Sequence, residues 1–520
     1  MEISSRYHLG HLLLDHIKAH LDVVAQIDAA TKEKRTYGSA LSRSIKLARS
    51  LRVLGYKPGD VVAVGGRNNL DIHIPFFASV FNGLTSVGVD PYFKYDEIYK
   101  LFELTKPKLA FCQRDFQEVY ERVAADLGLQ MKIITFDGDC TISDIIDMYD
   151  TKELEQDFKP EEFDIEKINV FLIPTSGSTG KLKIAVFKHE PFMLKLLEFL
   201  KVNKERKVAK RRTLYLSPVQ WISSYFICFT SSITGDTKIQ TSKPDDIDHI
   251  IEMINDYKPQ SSLISPTLVS TFLTRKDEVD LTCFEVINVV GSKFNPDTFE
   301  KFKKLLSENC LILDAYGQTE MIGPILLANP LSPPGSCGKP VFGYTMKLVD
   351  PDSGLEIKEP NVTGEMWAKG HSFAGYYNDP EETKLAFSKD GYYKTGDLLY
   401  RDEVGNYFFV DRIKSLIKYR NYIVIPSELE DVIRLHTSVK DVCVVGVKDP
   451  VDGERPVACV VKKDSCDVTA KEIKDLVESK LSKNKALSGG VVFLDTIPLT
   501  STGKLAKKRI LQIVSNSNRE

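Results

Sequence analysis

The chain has 520 residues, of which 42% are hydrophobic and 27% are charged. This length exceeds what one hydrophobic core ordinarily supports, so it predicts at least two domains, and the composition excludes a disordered or fibrous protein. Its 69 basic and 72 acidic residues give a formal charge of -3, so the net charge provides no long-range electrostatic attraction to nucleic acid or to an acidic membrane.

The cysteine pattern and the apolar runs favour a cytoplasmic protein. The nine cysteines are widely spaced and include no CxxC pair, which argues against a zinc site or a disulfide framework and favours a reducing compartment. Glu2, Arg6 and Asp15 interrupt the first apolar residues, unlike a secretory signal. The most apolar run, residues 221–233, is too short to span a membrane and is predicted to be buried core.

The first two thirds of the chain alternate between helix-like and strand-like segments. This punctuation begins at residues 36–90, where an apolar stripe at helical spacing precedes KPGD and the strand-like VVAV. Short apolar strands between helices predict largely parallel sheets that are covered on both faces. Further strands are expected at residues 108–112, 170–173, 214–217, 261–265 and 286–290.

The pattern changes after about Pro334 to hairpin-like segments, which predict a β-rich subdomain. From Leu416 onward a helix, two strands and a second helix predict an α+β module. The expected fold is therefore α/β, with a large N-terminal domain of mixed βαβ sheets over residues 1–411. A small, mobile C-terminal domain is expected over residues 414–520.

A Gly/Ser/Thr-rich segment, TSGSTGKLK at 175–183, directly follows the apolar strand at 170–173. Its glycines let the backbone approach a phosphate closely, and its hydroxyl and amide groups are suitable donors. The spacing differs from a Walker A loop, because only two residues separate Gly177 from Gly180. By composition alone, a flexible surface loop explains this segment equally well.

Three later segments carry further candidate residues. They are DAYGQTE at 314–320, the long stretch from Gly391 to Ile433 that includes YKTGD and DRIK, and PLTSTGKLAKK at 498–508. Each has an ordinary alternative, since Tyr-Gly turns are common and charges in loops are usually solvated.

In this order, with YGSALSRSIKLARSL near the N-terminus and GYYNDPEET at 375–383, the segments resemble the adenylate-forming superfamily. That group contains acyl-CoA synthetases, 4-coumarate ligases, beetle luciferases and peptide-synthetase adenylation domains. Leu182 and Ile184 stand where its first signature usually has proline and glycine.

The resemblance implies a nucleotide site. Tyr316 would stack on adenine, Thr319 would contact the α-phosphate and Glu320 would hold Mg²⁺, a hard cation suited to carboxylate oxygen. The other residues implied to bind the cofactors in the first two segments are Ser176, Gly177, Ser178, Thr179, Gly180, Lys183, Asp314, Gly317 and Gln318.

The later segments supply the remaining implied residues. Asp397 would bind the ribose hydroxyls and Arg412 the ribose or a phosphate. Lys418 matches a lysine linked to oxidation in luciferases, and Asn421 stands where relatives have the glycine of a pantetheine tunnel. Lys504 matches the catalytic lysine, whose ammonium would orient the carboxylate against the α-phosphate. Lys414 falls at the position of the hinge between the two domains.

The acyl pocket is implied by two segments, SPVQWISSYF and VVGSKFN. Its candidate residues are Gln220, Trp221, Ser223, Gly291 and Ser292. At the positions that correspond to residues 220–223 of this chain, beetle luciferases have a His-His-Gly-Phe run. Trp221 is interpreted equally well as a pocket wall or as a core tryptophan.

The leading hypothesis is an acid–thiol ligase that uses ATP, Mg²⁺ and coenzyme A to convert a fatty or aryl acid to its acyl-CoA through an acyl-adenylate. The alternatives are a luciferase-type oxygenation, an adenylation module that loads a carrier protein, and a non-catalytic acyl or nucleotide binder. The resemblance adds a peroxisomal alternative to the cytoplasmic location, although the chain ends in SNSNRE rather than SKL. The identity of the acid and the oligomeric state stay open.

Overall fold

A computed structural model describes residues 4–176, 182–205, 210–291, 294, 296–420, 422–464, 466–499 and 505–520. The chain divides into two units. Unit 1 comprises residues 1–345 and 369–393, and unit 2 comprises residues 346–368 and 394–520. The predicted boundary at residues 411–414 stays a prediction.

The helices begin and end at residues whose chemistry suits those positions. The Thr36 side chain accepts a hydrogen bond from the Ser39 N–H, and Gly83 ends a helix at φ 67°, a conformation that glycine adopts without strain. Within the described residues the helices are α1 (Leu9–Ile17), α2 (Tyr37–Val53), α3 (Ile74–Asn82), α4 (Tyr95–Thr105), α5 (Arg114–Asp126), α6 (Ile142–Tyr149), α7 (His189–Glu205), α8 (Ile222–Thr234), α9 (Ile247–Tyr257), α10 (Pro266–Thr274), α11 (Pro296–Lys303), α12 (Pro380–Ala386), α13 (Pro426–Ile433), α14 (Ala470–Lys480) and α15 (Lys507–Asn516).

The strands of the described chain are mostly short, as expected for sheets in an α/β protein. In chain order they are β1 (Val24–Asp28), β2 (Lys34–Thr36), β3 (Val61–Gly65), β4 (Thr85–Val89), β5 (Leu109–Cys112), β6 (Lys132–Thr135), β7 (Asn169–Ser176), β8 (Leu182–Lys188), β9 (Arg212–Leu214), β10 (Thr237–Gln240), β11 (Ser261–Ile264), β12 (Val286–Val289), β13 (Leu311–Gln318), β14 (Gly323–Leu327), β15 (Lys339–Pro340), β16 (Thr345–Val349), β17 (Glu356–Ile357), β18 (Gly364–Lys369), β19 (Gly375–Tyr376), β20 (Tyr393–Arg401), β21 (Tyr407–Arg412), β22 (Ile417–Tyr419), β23 (Tyr422–Val424), β24 (Val439–Asp449), β25 (Gly453–Lys462) and β26 (Gly490–Phe493).

Unit 1 holds a seven-stranded sheet in the order β19-β8-β7-β4-β3-β5-β6. The strands from β7 to β6 pair in parallel, and every residue of β3 and β4 is buried, as expected when helices cover both faces. Strand β8 turns back antiparallel to β7, with Thr175 opposite Lys183 and Ser176 opposite Leu182. This hairpin brings the two ends of the predicted phosphate loop together.

A second sheet of unit 1 has nine strands in the order β15-β14-β13-β12-β11-β9-β10-β1-β2. Its central strands are parallel, and β14 returns antiparallel to β13. Buried aliphatic and aromatic residues such as Ile239, Ile287 and Phe302 form one core against it. The strand expected at 214–217 instead occupies Arg212–Leu214.

Unit 2 contains two smaller sheets. One has the order β17-β16-β18-β20-β21, and the other has the order β23-β22-β25-β24 with β26 beside β25. Apolar residues cover both faces of the β24–β25 pair: Val444 and Val460 belong to a core with α13 and α14, and Val445 and Val457 belong to a core with α15.

These sheets confirm the predicted α/β class, with a large N-terminal part of mixed sheets and a smaller C-terminal α+β part. The hairpin-like segments after Pro334 also form strands, since β16 and β17 pair antiparallel. In the part of the chain that the structure describes, no helix has the length and apolar character that crossing a bilayer requires.

Candidate active site

The β7–β8 hairpin frames the first candidate segment. The predicted strand at 170–173 lies within β7, and Lys183 lies on β8. Of the phosphate-loop residues, Gly177, Ser178, Thr179 and Gly180 lie outside the described residues, and Ser176 is described as the last residue of β7. The Thr175 hydroxyl donates to the Lys183 carbonyl at 3.4 Å, so the stem of the hairpin is bonded up to the edge of this segment.

Lys183 points its ammonium at two groups of unit 1. Its Nζ forms an ion pair with the carboxylate of Glu382 on α12, and it lies 4.9 Å from the centre of the Tyr376 ring. The side chain is only 12% exposed, so its charge is held in a fixed place. A phosphate at this edge of the hairpin would meet a cation that is already positioned.

The second segment forms the end of β13 and the turn after it. Tyr316 is 9% exposed, and its hydroxyl accepts a hydrogen bond from Gln318 Nε2 at 3.2 Å. The Gln318 carbonyl oxygen Oε1 in turn accepts one from the Tyr393 hydroxyl at 2.9 Å. These bonds fix the face of the Tyr316 ring before any base stacks on it.

The structure explains why position 317 must be glycine, which the sequence alone did not reveal. A Cβ at this position would lie 2.1 Å from the carbonyl oxygen of Gly323, on the neighbouring strand β14. Such a contact with backbone cannot be relieved by rotating a side chain, so the close pairing of β13 with β14 requires glycine here.

Thr319 and Glu320 lie in the 3₁₀ turn Thr319–Met321 that follows β13. Glu320 is 8% exposed and its Oε1 accepts a hydrogen bond from the Tyr376 hydroxyl at 3.0 Å. Burial and the Glu320 carboxylate raise the pKa of Tyr376, so this hydroxyl keeps its proton and acts as the donor. The structure thereby joins Lys183, Tyr376 and Glu320 in one chain of contacts.

The turn ends at an unusual residue. Ile322 has φ 56°, a left-handed conformation that is costly for a β-branched side chain, and it is completely buried. Its strain is maintained because the Phe373 N–H donates to the Glu320 carbonyl at 2.7 Å and the Tyr344 hydroxyl donates to the Met321 carbonyl at 2.8 Å. The backbone of this turn is therefore held from two sides.

A buried ionisable group supports the same turn from α7. Lys195 is 8% exposed, donates from Nζ to the Pro324 carbonyl at 3.1 Å and lies 4.1 Å from the Tyr344 ring centre. Desolvation lowers the pKa of Lys195 to about 8. One helical turn further on, Glu198 accepts a hydrogen bond from His371 Nε2 at 2.8 Å. The cation–π contact offsets part of the cost of burying this ammonium.

Asp314, on β13, is largely buried, and this burial raises its carboxyl pKa to about 7. The Ala315 N–H bond to this group acts in the opposite direction but is the smaller effect. Near neutral pH, therefore, Asp314 exchanges between a neutral and an ionised form.

The pocket candidates lie near the start of α8 and after β12. The Gln220 side chain is 5% exposed, and neither its Oε1 nor its Nε2 has a hydrogen-bond partner among the described residues. Trp221 immediately precedes α8 and is partly exposed, and the Ser223 hydroxyl donates to Ser217 Oγ at 2.9 Å. Gly291 has φ 102° with open space around it. Ser292 lies outside the described residues.

In unit 2 the structure brings Asp397 and Arg412 together. They are cross-strand partners on β20 and β21, and Arg412 Nε lies 3.3 Å from Asp397 Oδ1. The Asp397 side chain is 2% exposed and that of Arg412 is 49% exposed, so the carboxylate is fixed while the guanidinium reaches solvent. A buried carboxylate with an adjacent cation fits a site for sugar hydroxyls and phosphate.

The remaining predicted residues of unit 2 lie further along the chain. Lys418 is exposed on β22, and its backbone N–H donates to Glu454 Oε2 at 3.0 Å. Asn421 and Lys504 lie outside the described residues. Leu499 and Leu505, on either side of the undescribed residues 500–504, pair as an antiparallel bridge.

The donors present fit the groups that the resemblance implies. Glu320 would supply the hard oxygen ligand that Mg²⁺ prefers. No cluster of three or more His, Cys, Asp or Glu suited to a metal occurs among the described residues. One or two carboxylates together with substrate phosphates are an ordinary ligand set for Mg²⁺. Sequence reasoning missed Tyr376 and Glu382, although both lie in the GYYNDPEET segment that contributed to the resemblance.

The chain is similar in sequence and in fold to proteins of known activity. The chain is 31% identical over 504 residues to the luciferin 4-monooxygenase of Photuris pensylvanica, covering 94% of this chain and 92% of that protein. It is 29% identical to acyl-CoA synthetase 7 of Caenorhabditis elegans, covering 96% and 94%. The crystal structure of ATP-bound MatB from Rhodopseudomonas palustris matches its fold with a TM-score of 0.88 at 21% identity, covering 98% and 99%.

Two family profiles match the sequence. The profile of the AMP-binding enzyme matches residues 14–377, and that of the AMP-binding enzyme C-terminal domain matches residues 428–504. Since the first match alone covers more than half of the chain, the protein belongs to the AMP-binding enzyme family, and with it to the adenylate-forming superfamily.

Proposed function

We propose that the protein activates a fatty or aryl carboxylic acid with ATP to give an acyl-adenylate and pyrophosphate, and then transfers the acyl group to coenzyme A. The observation that carries this proposal is the chain of contacts from Lys183 through Tyr376 to Glu320. It sets a cation and a carboxylate on either side of one tyrosine, at the edge of the β7–β8 hairpin.

The first reaction needs little acid–base chemistry, because the carboxylate substrate is already ionised at neutral pH. Its oxygen attacks the α-phosphorus, and the bond to the leaving pyrophosphate breaks. Lys183 would bind phosphate oxygens and Thr319 the α-phosphate. Glu320 would hold Mg²⁺, and the bound ion would neutralise negative charge on the phosphates. Catalysis then rests on orientation and charge stabilisation.

Tyr316 and Asp397 are the residues proposed to bind the nucleoside. Tyr316 offers a ring fixed by Gln318 for stacking on adenine, and Asp397 offers a buried carboxylate for two ribose hydroxyls. Arg412 would contact the ribose or a phosphate. Lys504 would orient the carboxylate against the α-phosphorus, as the resemblance implies.

The second reaction exchanges the phosphate of the acyl-adenylate for the thiol of coenzyme A, releasing AMP. Relatives named for coenzyme A thioester formation support this step. Asn421 bears on it, because relatives have glycine there. A cytosolic location belongs to the same proposal and is supported by the nine free thiols, which a reducing compartment preserves.

Release of pyrophosphate tests the proposal directly. Purified protein is supplied with ATP, Mg²⁺ and single fatty, aryl or short-chain acids, with and without coenzyme A, and products are identified by mass spectrometry. We expect acid-dependent pyrophosphate with at least one acid class and an acyl-CoA when coenzyme A is present. Failure of every acid would favour a non-catalytic binder.

Variants of the C-terminal lysines separate the two reactions. Lys504→Ala is expected to slow adenylation by about 100-fold or more, whereas transfer from a supplied acyl-adenylate suffers much less. The matched control is Lys508→Ala, an exposed lysine of α15, which should leave both rates unchanged. Equal losses in the two reactions would remove Lys504 from adenylation.

Asn421→Gly tests the second step in the same way. If the asparagine side chain narrows the pantetheine route, this change raises the coenzyme A-dependent rate and leaves acid-dependent pyrophosphate release unchanged. A glycine in a turn costs at most roughly 1 kcal/mol of backbone freedom, so relief of crowding should dominate.

A luciferase-type oxygenation is the second candidate, favoured by the 31% identity to a luciferin 4-monooxygenase. It would share the adenylation step and use Lys418. The Gln220–Trp221–Ile222–Ser223 run differs from the His-His-Gly-Phe run of beetle luciferases, which counts against it. Photon counting with ATP, Mg²⁺, oxygen and luciferin decides between the two candidates.

A further inference from the structure

Two of the nine free cysteines face each other inside unit 2. Cys443 on β24 and Cys459 on β25 are direct partners in the antiparallel register of these strands. Both side chains are buried, at 1% and 0% exposure. Because directly opposed residues point to the same face of a sheet, the two thiols share one side of the β24–β25 pair.

The backbone geometry of such a pair is close to that of a disulfide. Opposed residues of antiparallel strands have Cα atoms about 4.5 to 5.5 Å apart, within the range of about 4.4 to 6.8 Å found for disulfides. The two sulfurs already interact: a hydrogen bond from Cys443 lowers the pKa of the Cys459 thiol and raises that of Cys443. The two thiols are therefore close enough to interact directly.

The face that carries these thiols is covered by the last helix. Cys443 and Cys459 belong to the core that includes Ile510 and Val514 of α15. This helix begins at Lys507, three residues after Lys504. The packing beneath the cysteine pair is thus directly connected, through α15, to the segment that carries the proposed adenylation lysine.

Access to the thiols depends on the same helix. In the described structure α15 has two fully buried side chains, Ile510 and Val514. Two backbone hydrogen bonds between Glu520 and Val491 also hold the segment that follows it. Elements with few buried side chains open at lower free energy than the core, which gives a small oxidant a route to the pair.

We propose that Cys443 and Cys459 form a reversible disulfide when the protein meets a hydroperoxide, and that this bond disturbs the seating of α15 and slows adenylation. The thiolate of one cysteine attacks the peroxide oxygen, giving a sulfenic acid and water or an alcohol. The second thiol then attacks the sulfenic sulfur and releases water. Two thiols are oxidised, one O–O bond is reduced, and a thiol reductant reverses the bond.

The effect on adenylation rests on the proposed function. Formation of the bond requires Cβ atoms about 3.5 to 4.5 Å apart, nearer than the roughly 4.5 to 5.5 Å of ordinary opposed residues. The strands must therefore approach slightly under Ile510 and Val514. A displacement on the order of 1 Å is enough to reduce catalysis when it reaches a reacting group.

Peptide mapping of the full-length protein tests the bond itself. The protein is treated with hydrogen peroxide, free thiols are alkylated, and the digest is analysed with and without reduction. We expect a linked pair of peptides containing Cys443 and Cys459 that disappears with dithiothreitol. Cys283 and Cys310, half-buried neighbours that are not strand partners, serve as the comparison pair and should stay alkylatable. Absence of the Cys443–Cys459 link under conditions that oxidise exposed Cys466 overturns the proposal.

Activity is measured on the same samples. Oxidised wild type should release acid-dependent pyrophosphate at least threefold more slowly, and dithiothreitol should restore the rate. Cys443→Ala and Cys459→Ala should show no loss of rate on oxidation. If either variant fails to fold, the loss of rate in oxidised wild type and its recovery with dithiothreitol still test the proposal. A linked protein with an unchanged rate refutes the coupling to α15. Inactivity of the reduced protein with every acid refutes the proposed function, while the mapping still tests the bond.

Discussion

The Tyr376 hydroxyl donates a hydrogen bond to Glu320 at 3.0 Å, joining the short strand β19 to the turn after β13. Because the same tyrosine ring lies 4.9 Å from the Lys183 ammonium, one residue orients groups that belong to two separate sequence motifs. We therefore propose Tyr376 as a positioning residue for the candidate site, and its removal has a specific expected effect.

Tyr376→Phe keeps the ring beside Lys183 but removes the donor to Glu320. We expect about a tenfold lower rate of acid-dependent pyrophosphate release, corresponding to the loss of one hydrogen bond to a charged group. The Mg²⁺ concentration that gives the half-maximal rate should rise as well. Tyr377→Phe, at the adjacent tyrosine that packs in the core, is the control. If both variants respond alike to Mg²⁺, Tyr376 does not act through Glu320.

Arg412→Gln tests the cross-strand pair of unit 2. The guanidinium is half-exposed, so its loss should leave the fold intact while the KM for ATP rises by roughly tenfold, the value of one charge-assisted hydrogen bond. Arg401→Gln on the same strand pair is the control, since the Arg401 guanidinium donates to the Lys358 carbonyl at 3.1 Å rather than pairing with Asp397. Steady-state rates at varied ATP give the comparison, and a KM equal to that of wild type contradicts the role of Arg412.

Asp314 makes stability depend on pH. Its carboxyl pKa is about 7 in the folded protein against an ordinary 3.8, so the folded state keeps a proton that the unfolded chain releases. Stability is therefore lost as the pH rises from 3.8 through about 7. Asp314→Asn has no such proton, and its stability relative to wild type should increase between pH 5 and pH 8 by on the order of 2 to 3 kcal/mol.

Urea unfolding at pH 5, 6.5 and 8 measures this difference. The exposed acid Asp277 provides the control, since Asp277→Asn should follow wild type at all three values. A constant difference between Asp314→Asn and wild type across the series would show that the carboxyl ionises normally in the folded protein.

His8 has the opposite dependence. Burial lowers the pKa of His8 from 6.5 to about 3. Between these two pH values the imidazole is protonated in the unfolded chain but stays neutral in the folded protein. Stability is then lost as the pH falls from 6.5 toward 3. His8→Gln, which does not titrate, should lose less stability than wild type between pH 7.5 and pH 5. Thermal unfolding with His16→Gln on the same helix as the control measures the effect, and parallel curves for all three proteins exclude His8 as its source.

Strands and turns could be predicted where the residues of one short segment determine the local structure. The apolar run at 170–173 lies in β7, and the segment at 314–320 forms a strand end and a tight turn, as its composition indicates. The bond between Tyr376 and Glu320 was not predictable, because it joins residues 56 positions apart through the pairing of β19 with β8. No local periodicity encodes that pairing.

The same limit explains the misplaced strand at 214–217. The chain there pairs with its neighbours from Arg212, so register with β10 and β11, rather than apolar content, sets the boundaries. Gly317 shows the converse case: the resemblance implies a role in a nucleotide site, whereas the structure shows that the Gly323 carbonyl leaves no room for a Cβ at this position. One residue type in a motif can thus serve the fold and the ligand together.

The β7–β8 hairpin also determines which insertions and deletions the predicted phosphate loop can tolerate. Lys183 and the fully paired Ile184 lie next to each other on β8, and Ile184 is 2% exposed. Because strand side chains alternate, deleting a single residue from this stem would turn Ile184 outward and drive the charge of Lys183 into the core. Substitutions between residues 176 and 182 should therefore be tolerated better than insertions or deletions in β7 or β8. Chimaeras that exchange this loop should be joined at the paired residues Ser176 and Leu182.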